Sequence, residues 1–174
     1  MSRNELREEL KRKIKVFNGK KEESEMIVSL IRSSSQWQNA ETILAFSPLP
    51  SEVDITPLLS DKRVLLPYIE NNKMEFARAE DMKLSSMGFL EPKHIKSEYG
   101  SALMLVPMLG FNGLYRLGRG GGYYDKYIHE NRSRLITWGI AFSISECPEF
   151  KPEGWDEELD RIISIADGNP ASQA

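Results

Sequence analysis

The sequence predicts an α/β fold with a mainly parallel sheet, and three observations indicate it. Segments with helical spacing of apolar residues alternate with short apolar segments of strand length, which is typical of strands joined by crossover helices. The segment 102–106 is apolar throughout, as a strand buried on both faces should be. A chain of 174 residues, 40% hydrophobic and 28% charged, fits one ordinary globular domain. We therefore expect a single domain over 1–166, folded as a three-layer sandwich, and a polar tail over 167–174 that frays.

Amphipathic patterns predict two helices at the start of the chain. Leu6, Leu10 and Ile14 recur every four residues, so 3–17 is predicted to be a helix with one buried stripe. A second helix is predicted over 22–34, where apolar residues again share one face. The remaining predicted helices are 57–60 and 123–131.

Six short apolar segments are predicted to be strands, separated by helices or by turn residues such as Asn71-Asn72. In chain order they are 42–46, 63–67, 74–77, 102–106, 135–141 and 161–166. The segment 84–99 has few periodic features and is predicted to be a loop with a short helix. Because strands alternate with helices along the chain, the predicted sandwich is Rossmann-like.

Composition and charge argue against several classes of function. The net charge of −3 is not that of a general nucleic-acid binder, and one cysteine excludes an internal disulfide and fits a reducing compartment. No apolar run approaches the roughly 20 residues of a membrane-spanning helix, and the charged N-terminus lacks an apolar signal region. The isolated histidines, His94 and His129, form neither a Ser/His/Asp pattern nor a zinc cluster. We expect a cytoplasmic monomer or weak dimer whose partners are small molecules, not nucleic acid or membranes.

The most informative segment is 116–125, with the sequence Arg-Leu-Gly-Arg-Gly-Gly-Gly-Tyr-Tyr-Asp. Glycine lacks a Cβ atom, so this turn can adopt positive φ angles and let another group approach its backbone closely. A glycine-rich turn that leads into a helix presents free N–H groups to an anion, most often a phosphate. Asp125 then lies where it can hold the Mg²⁺ that accompanies nucleotide phosphates.

Two familiar nucleotide-binding motifs do not match this segment. No Gly-Lys-Ser/Thr follows the glycines, as a Walker A loop requires, and the spacing is not that of a dinucleotide fingerprint. The alternative to a phosphate-binding loop is a purely structural tight turn whose tyrosines pack into the core. Arg116 and Arg119 favour phosphate binding, because a turn alone does not need guanidinium donors.

Two groups of acidic residues are further candidates, each with a structural alternative. Glu52 lies in the loop after the first predicted strand, where open α/β sheets bind ligands, or it is an exposed loop carboxylate. Asp156 and Asp160 are oxygen donors of the kind that Mg²⁺ takes, or parts of a solvated acidic turn.

A basic stripe formed by Arg3, Arg7 and Lys11 runs along the first predicted helix. Such a stripe is either a solvated face or a ridge that faces phosphates. The residues alone favour the solvated face, which is the commoner fate of surface charges.

These features together resemble the 5-formyltetrahydrofolate cyclo-ligase family, also called methenyltetrahydrofolate synthetase. The family signature is an apolar strand, a proline, a short loop and then Arg-Leu-Gly-x-Gly-x-Gly-Tyr-Tyr-Asp. Here 103–107 supplies the strand and proline, 108–115 supplies the loop, and 116–125 follows without a gap. The resemblance extends from Arg3 to about Ile163. The chain departs from the family in the loop 110–115, which is one residue shorter and has Asn where the family has Asp.

The resemblance implies a ligase of one-carbon metabolism that converts 5-formyltetrahydrofolate and ATP into 5,10-methenyltetrahydrofolate, ADP and phosphate, with Mg²⁺ as cofactor. The implied ATP-binding residues are Arg3, Arg7, Arg116, Gly118, Arg119, Gly120, Gly121, Gly122, Tyr123 and Tyr124. The implied folate contacts are Glu52, Met87 and Tyr124. The implied catalytic residues are Arg116 and Tyr124, and the implied Mg²⁺ ligands are Asp125 and Asp156, with Asp160 in a supporting role.

Two other functions stay open from the sequence. A phosphosugar isomerase on a related scaffold would use the same loop for a sugar phosphate without ATP, since fold does not fix function. A folate or nucleotide binder that has lost catalysis would keep the pocket and show binding without turnover. The nearly intact signature argues against the second alternative.

Overall fold

Seven strands form one sheet at the centre of the molecule, in a computed structural model that describes residues 1–79, 82–92, 96–166 and 169–173. His94 lies outside the described residues. The helices are α1 (Arg3–Val16), α2 (Lys20–Ser33), α3 (Ser35–Asn39) and α4 (Tyr123–Asn131). The strands are β1 (Ile43–Leu44), β2 (Val64–Glu70), β3 (Lys73–Arg78), β4 (Met82–Leu84), β5 (Leu90–Pro92), β6 (Ala102–Pro107), β7 (Gly110–Asn112), β8 (Tyr115–Leu117), β9 (Leu135–Ile140), β10 (Arg161–Ala166) and β11 (Asn169–Gln173).

The order of strands in the sheet is β11-β10-β9-β6-β1-β2-β3. The five inner strands pair in parallel, whereas the edge strands β3 and β11 run antiparallel to their neighbours. The α/β fold with a mainly parallel sheet is thereby confirmed, and the six predicted strands are all present with boundaries shifted by at most a few residues.

Helices cover both faces of the sheet. Successive strand residues face opposite sides, and inner strands such as β6 are apolar at every position, so both faces must be buried. α1, α2 and α3 pack on one face, where Leu10, Ile27 and Trp37 belong to one buried cluster. α4 packs on the other face, where Ile128 joins Met104 of β6 in a second cluster. The structure therefore has the three predicted layers, and no helix among the described residues is long and apolar enough to cross a membrane.

α1 follows the predicted apolar stripe and starts at a well-formed cap. Leu6, Leu10 and Ile14 are at most 4% exposed. Ser2 Oγ accepts a hydrogen bond from the Glu5 backbone N–H at 3.1 Å, and the Glu5 carboxylate accepts one from the Ser2 N–H at 2.6 Å. This capping box fixes the first helical turn.

The segment 84–99 differs most from its prediction of a loop with a short helix. Its described part contains an antiparallel hairpin formed by β4 and β5. Ser85 Oγ closes the turn by accepting two backbone N–H groups at 3.2 Å. The buried carboxylate of Glu91 accepts the Ile69 N–H at 3.1 Å and ties the hairpin to β2. The hairpin exposes Leu84, which is 70% exposed, and buries the polar residues Ser85 and Glu91, so a pattern based on buried apolar residues does not reveal its strands.

Four smaller segments also differ from the prediction. The short helix predicted over 57–60 is a single 3₁₀ turn, Thr56–Leu58, and the five-residue α3 was not predicted. The shortened loop 110–115 belongs to a hairpin of β7 and β8, in which Gly113 adopts a φ of 58° at the turn. Part of the tail expected to fray, 167–174, is the backbone strand β11, because the outer edge of β10 offers N–H and C=O groups to pair with.

The chain changes direction across the sheet between β1 and β6. From β1 it proceeds to β2 and β3 on one side, and from β6 to β9 and β10 on the other. In open α/β sheets, ligands bind in the crevice at the carboxyl ends of the strands at such a switch point. The fold alone therefore indicates where the functional site lies.

Candidate active site

A cavity of about 360 Å³ lies at the carboxyl ends of β1 and β6. Every residue predicted to bind ATP, folate or Mg²⁺ lines this cavity. Its apolar half is lined by Phe46, Leu49, Pro67, Ile69, Met74, Met87, Phe89, Pro107 and Met108. Its polar half is lined by the glycine-rich loop (residues 118–122), the arginines and the acidic residues. The sequence therefore predicted the loop, arginine and carboxylate residues that line the polar half, whereas of the apolar lining it predicted only Met87, as a folate contact.

The glycine-rich loop requires glycine at specific positions. Gly120 and Gly122 have φ angles of 106° and 71°, a region that side chains of L-residues rarely adopt. A Cβ atom on Gly118 would overlap the Arg116 guanidinium. Gly122 is the N-cap of α4 and has no side chain to accept the first helical N–H groups. These N–H groups and the helix dipole make this end of the loop suited to an anion.

Arg116 is a buried arginine that contacts three other residues lining the cavity. Its side chain is 8% exposed, and its Nε donates a hydrogen bond to the Pro107 carbonyl at 3.1 Å. Its guanidinium lies 5.1 Å from the centre of the Tyr124 ring, and its Nη1 lies 3.7 Å from Asp125 Oδ2. Arg116 therefore places Tyr124 and Asp125 relative to the end of β6.

Burial sets the protonation of Tyr124 and Asp125. Burial raises the pKa of the Tyr124 phenol, and the neighbouring Glu52 carboxylate raises it further, so Tyr124 is a proton-bearing donor at neutral pH. Burial also raises the pKa of Asp125, opposed by Arg116 and by the Glu157 N–H, which donates to Asp125 Oδ1 at 3.1 Å. Both side chains are thus held in a poorly hydrated environment.

Glu52 is a nearly buried carboxylate on the opposite side of the cavity. Its side chain is 7% exposed, and the Leu49 N–H donates to its Oε1 at 2.8 Å. Its Oε2 lies 3.6 Å from Nε of Arg119, whose Nη2 donates to Ser51 Oγ. Burial raises the pKa of Glu52, and the Leu49 N–H and Arg119 partly oppose this. The alternative of an exposed loop carboxylate is therefore wrong.

Asp156 is buried beneath the start of α1. Its side chain is 3% exposed, and the Glu153 N–H donates to its Oδ2 at 2.6 Å. Arg3 forms a two-pronged ion pair with it, with Nη1 3.3 Å from Oδ1 and Nη2 against Oδ2. The same guanidinium lies 5.9 Å from the centre of the Trp155 ring, which is 66% exposed.

Arg7 connects α1 to the glycine-rich loop. Its Nε donates to the Gly118 carbonyl at 2.8 Å, and its Nη1 donates to Asn4 Oδ1 at 2.6 Å. Arg3 and Arg7 line the cavity, so the basic stripe of α1 is not only a solvated face.

The two candidate metal ligands fit Mg²⁺ only in company with phosphate. Among the described residues, no three His, Cys, Asp or Glu side chains form a group that would hold a metal ion by themselves. Mg²⁺ commonly takes one or two protein carboxylates and fills its other positions with phosphate oxygens and water. Asp125 and Asp156 line the same cavity beside the start of α4, whose N–H groups lack a side-chain cap, so the two carboxylates are compatible with this requirement. Asp160 lies apart from them and supports the sheet: its Oδ2 accepts the Thr137 N–H at 2.7 Å.

Comparison with known proteins gives a consistent result over most of the chain. The sequence model of the 5-formyltetrahydrofolate cyclo-ligase family matches residues 1–165. The 5-formyltetrahydrofolate cyclo-ligase of Mus musculus is 26% identical over 193 aligned residues, which cover 96% of this chain and 94% of the mouse protein. That of Mycoplasma pneumoniae is 43% identical over 61 residues, which cover 34% of this chain and 37% of that protein.

Solved structures share the fold described above. The NMR structure of 5,10-methenyltetrahydrofolate synthetase from Aquifex aeolicus has a TM-score of 0.77 at 25% identity, covering 94% of this chain and 90% of that one. The structure of 5,10-methenyltetrahydrofolate synthetase from Mycoplasma pneumoniae has a TM-score of 0.72 at 24% identity, covering 93% of this chain and 98% of that one. The match therefore includes all three layers.

Proposed function

This chain belongs to the 5-formyltetrahydrofolate cyclo-ligase family and is an enzyme of that family, and from this premise we propose how its cavity works. The reaction converts 5-formyltetrahydrofolate to 5,10-methenyltetrahydrofolate. We assign ATP and Mg²⁺ to the polar half of the cavity and the folate to the apolar half, with ADP and phosphate as the other products.

The observation that supports this assignment best is the composition of the polar half. The glycine-rich loop and the start of α4 lie in one cavity with four arginines and three carboxylates, and of these we assign Arg3, Arg7, Arg116, Asp125 and Asp156 to ATP and Mg²⁺. Cationic donors, backbone N–H groups and a metal are what phosphoryl transfer requires. A flat aromatic substrate such as a pterin suits the apolar half, where Glu52 is the buried acceptor for its N–H groups.

The chemistry explains why ATP is needed. The formyl oxygen is a poor leaving group, and transfer of the γ-phosphoryl group to it makes an imidate-type phosphate and releases ADP. N10 of the same molecule then attacks the formyl carbon, the carbon–oxygen bond breaks, phosphate leaves and N10 loses its proton. Because the attack is intramolecular, the protein mainly orients groups and stabilises charge.

The chain's own residues take distinct parts in this scheme. Arg116 stabilises the charge that develops on the transferred group and fixes Tyr124, whose phenol donates to the reacting oxygen. Arg3 and Arg7 close over the phosphates from α1, and the N–H groups at Gly122 bind them from the other side. Mg²⁺, held by Asp125 and Asp156, would neutralise the phosphate charge.

The test is an absorbance assay on the purified protein with 5-formyltetrahydrofolate, ATP and Mg²⁺. We expect the near-ultraviolet absorbance of methenyltetrahydrofolate to rise, and to rise only when both ATP and Mg²⁺ are present. Binding of folate without turnover would indicate a binder that has lost catalysis. The absence of both folate binding and turnover would contradict the proposal and direct attention to sugar phosphates.

The variant Asp125→Asn tests the metal assignment in the same assay. It keeps the size of the side chain and removes the charge that the metal needs, so we expect kcat to fall by at least about 100-fold. Glu130→Gln is the control, because it makes the same change in charge on the exposed side of α4. Equal rates for Asp125→Asn and wild type would show that Asp125 does not hold the metal.

A further inference from the structure

Arg119 belongs to the glycine-rich loop by sequence but contacts the opposite wall of the cavity. Its Nη2 donates to Ser51 Oγ and its Nε lies 3.6 Å from Glu52 Oε2. The loop after β1 contains Ser51 and Glu52, whereas Arg119 lies in the loop after β8, further along the chain than β6. The side chain of Arg119 therefore spans the switch point and joins the two loops that the proposed function assigns to different substrates.

The Glu52 carboxylate depends on this contact. Its Oε1 is taken by the Leu49 N–H of its own loop, so Oε2 is the oxygen that faces Arg119. A carboxylate that is 7% exposed needs a nearby cation or donor to stay charged and in place. The guanidinium of Arg116 also favours the charged form of Glu52, but it already donates to the Pro107 carbonyl and is paired with Asp125.

We propose that Arg119 is a positioning residue for the folate substrate: its guanidinium holds the Glu52 carboxylate in the orientation that accepts the substrate's N–H groups. This rests on the proposed function and gives Arg119 a role different from the phosphate binding expected from its place in the loop. Phosphate contacts fall instead to Arg3, Arg7, Arg116 and the N–H groups at Gly122. The folate site is then complete before a nucleotide binds.

The test is calorimetric binding in two binary complexes. We measure the Kd for 5-formyltetrahydrofolate without nucleotide and the Kd for Mg·ADP without folate. In Arg119→Gln we expect folate binding to weaken about tenfold and Mg·ADP binding to change by less than about twofold. In Arg119→Lys, which keeps the charge but not the fork of donors, we expect folate affinity to recover to within about threefold of wild type.

A double-mutant cycle separates positioning from a direct contact. If Arg119 acts through Glu52, the variant Arg119→Gln on top of Glu52→Gln should weaken folate binding no further than Glu52→Gln alone. Arg7→Gln is the matched control: it removes a cavity arginine bound to the Gly118 carbonyl, and we expect it to weaken Mg·ADP binding and not folate binding.

Two results would overturn the proposal while leaving the function intact. One is unchanged folate affinity with weakened Mg·ADP binding in Arg119→Gln, which would make Arg119 a phosphate ligand. The other is full additivity in the cycle, which would mean that Arg119 contacts the folate itself. A wild-type protein that binds no folate would instead contradict the proposed function together with this inference. Because the Arg119 side chain is 37% exposed, its replacement leaves the core unchanged.

Discussion

Each carboxylate that faces the cavity has an arginine of its own. The pairs are Glu52 with Arg119, Asp125 with Arg116, and Asp156 with Arg3. Three of the four cavity arginines are therefore engaged with carboxylates before any ligand enters, and Arg7 is the fourth. A bound phosphate must share or displace some of these guanidinium groups, so ligand affinity reflects the difference between two sets of ion pairs.

The Glu52 carboxylate makes stability depend on pH. Burial raises its pKa in the folded protein, so ionising it costs more free energy in the folded state than in the unfolded chain. That cost is absent below the ordinary pKa of a glutamate, grows as the pH rises through it, and is complete above the folded value. Glu52→Gln removes the cost, and we expect the variant to be more stable than wild type near neutral pH, by on the order of 0.5–2 kcal/mol.

Urea unfolding at several pH values from about 4 to about 8 tests this expectation. The difference in free energy of unfolding between Glu52→Gln and wild type should approach zero at the acid end and increase toward neutral pH. A difference that stays constant with pH would show that packing, not the charge, decides the effect.

We expect the absence of a side chain at Gly122 to matter both for the stability of the fold and for nucleotide binding. Its φ of 71° disfavours any side chain, although no described atom beyond the adjacent residues lies within 4 Å of where a Cβ would be. We expect Gly122→Ala to lower the free energy of unfolding by about 1 kcal/mol and to weaken Mg·ADP binding, since it alters the N–H groups at the start of α4. Gly113→Ala is the control, with a φ of 58° and equally open surroundings in the β7–β8 turn. It should cost similar stability and leave Mg·ADP binding unchanged; equal loss of affinity in both would contradict the role of Gly122.

At the scale of elements, α1 is a structural helix whose first turn also serves the cavity. Ser2 caps it, and Arg3 and Arg7 reach Asp156 and the Gly118 carbonyl from its next residues. Ser2→Ala removes the cap, and we expect it to cost about 1 kcal/mol of helix stability, to speed hydrogen exchange in the first turn, and to weaken Mg·ADP binding.

The matched change is Ser34→Ala, at the start of α3. Ser34 Oγ accepts the Trp37 N–H at 3.2 Å, so this variant loses a comparable cap. Because α3 does not line the cavity, Mg·ADP affinity should stay at the wild-type value. If both variants, or neither, lose affinity, the first turn of α1 has no special part in nucleotide binding.

The sequence predicted elements wherever burial follows a simple period. α1 and β6 were predicted because their buried residues recur every four residues or occupy every position. α3 is too short to show a period, with Trp37 as its one buried residue. The β4–β5 hairpin is held by Ser85 and by the buried Glu91, which are polar contacts that no apolar pattern displays.

At the scale of the whole molecule, the cavity lies at the switch point between β1 and β6, where the chain changes the direction in which it adds strands to the sheet. The residues of 116–125 are contiguous, so a motif identified them, and the loop after β1 was identified by its position in the predicted sheet. The contact between Arg119 and Glu52 depends on how two distant loops cross the switch point. The apolar wall comes from residues scattered over several elements, such as Phe46 and Met74, which look like ordinary core residues in the sequence.

The fluorescence of Trp155 can report whether the cavity holds a ligand. Trp37 and Trp138 are 6% and 2% exposed, whereas Trp155 is 66% exposed and lies beside the Arg3 guanidinium that pairs with Asp156. Any exchange of partners by Arg3 changes the charge next to this indole. The chain therefore carries its own fluorescent reporter, and occupancy of the phosphate end could be followed in real time without a label.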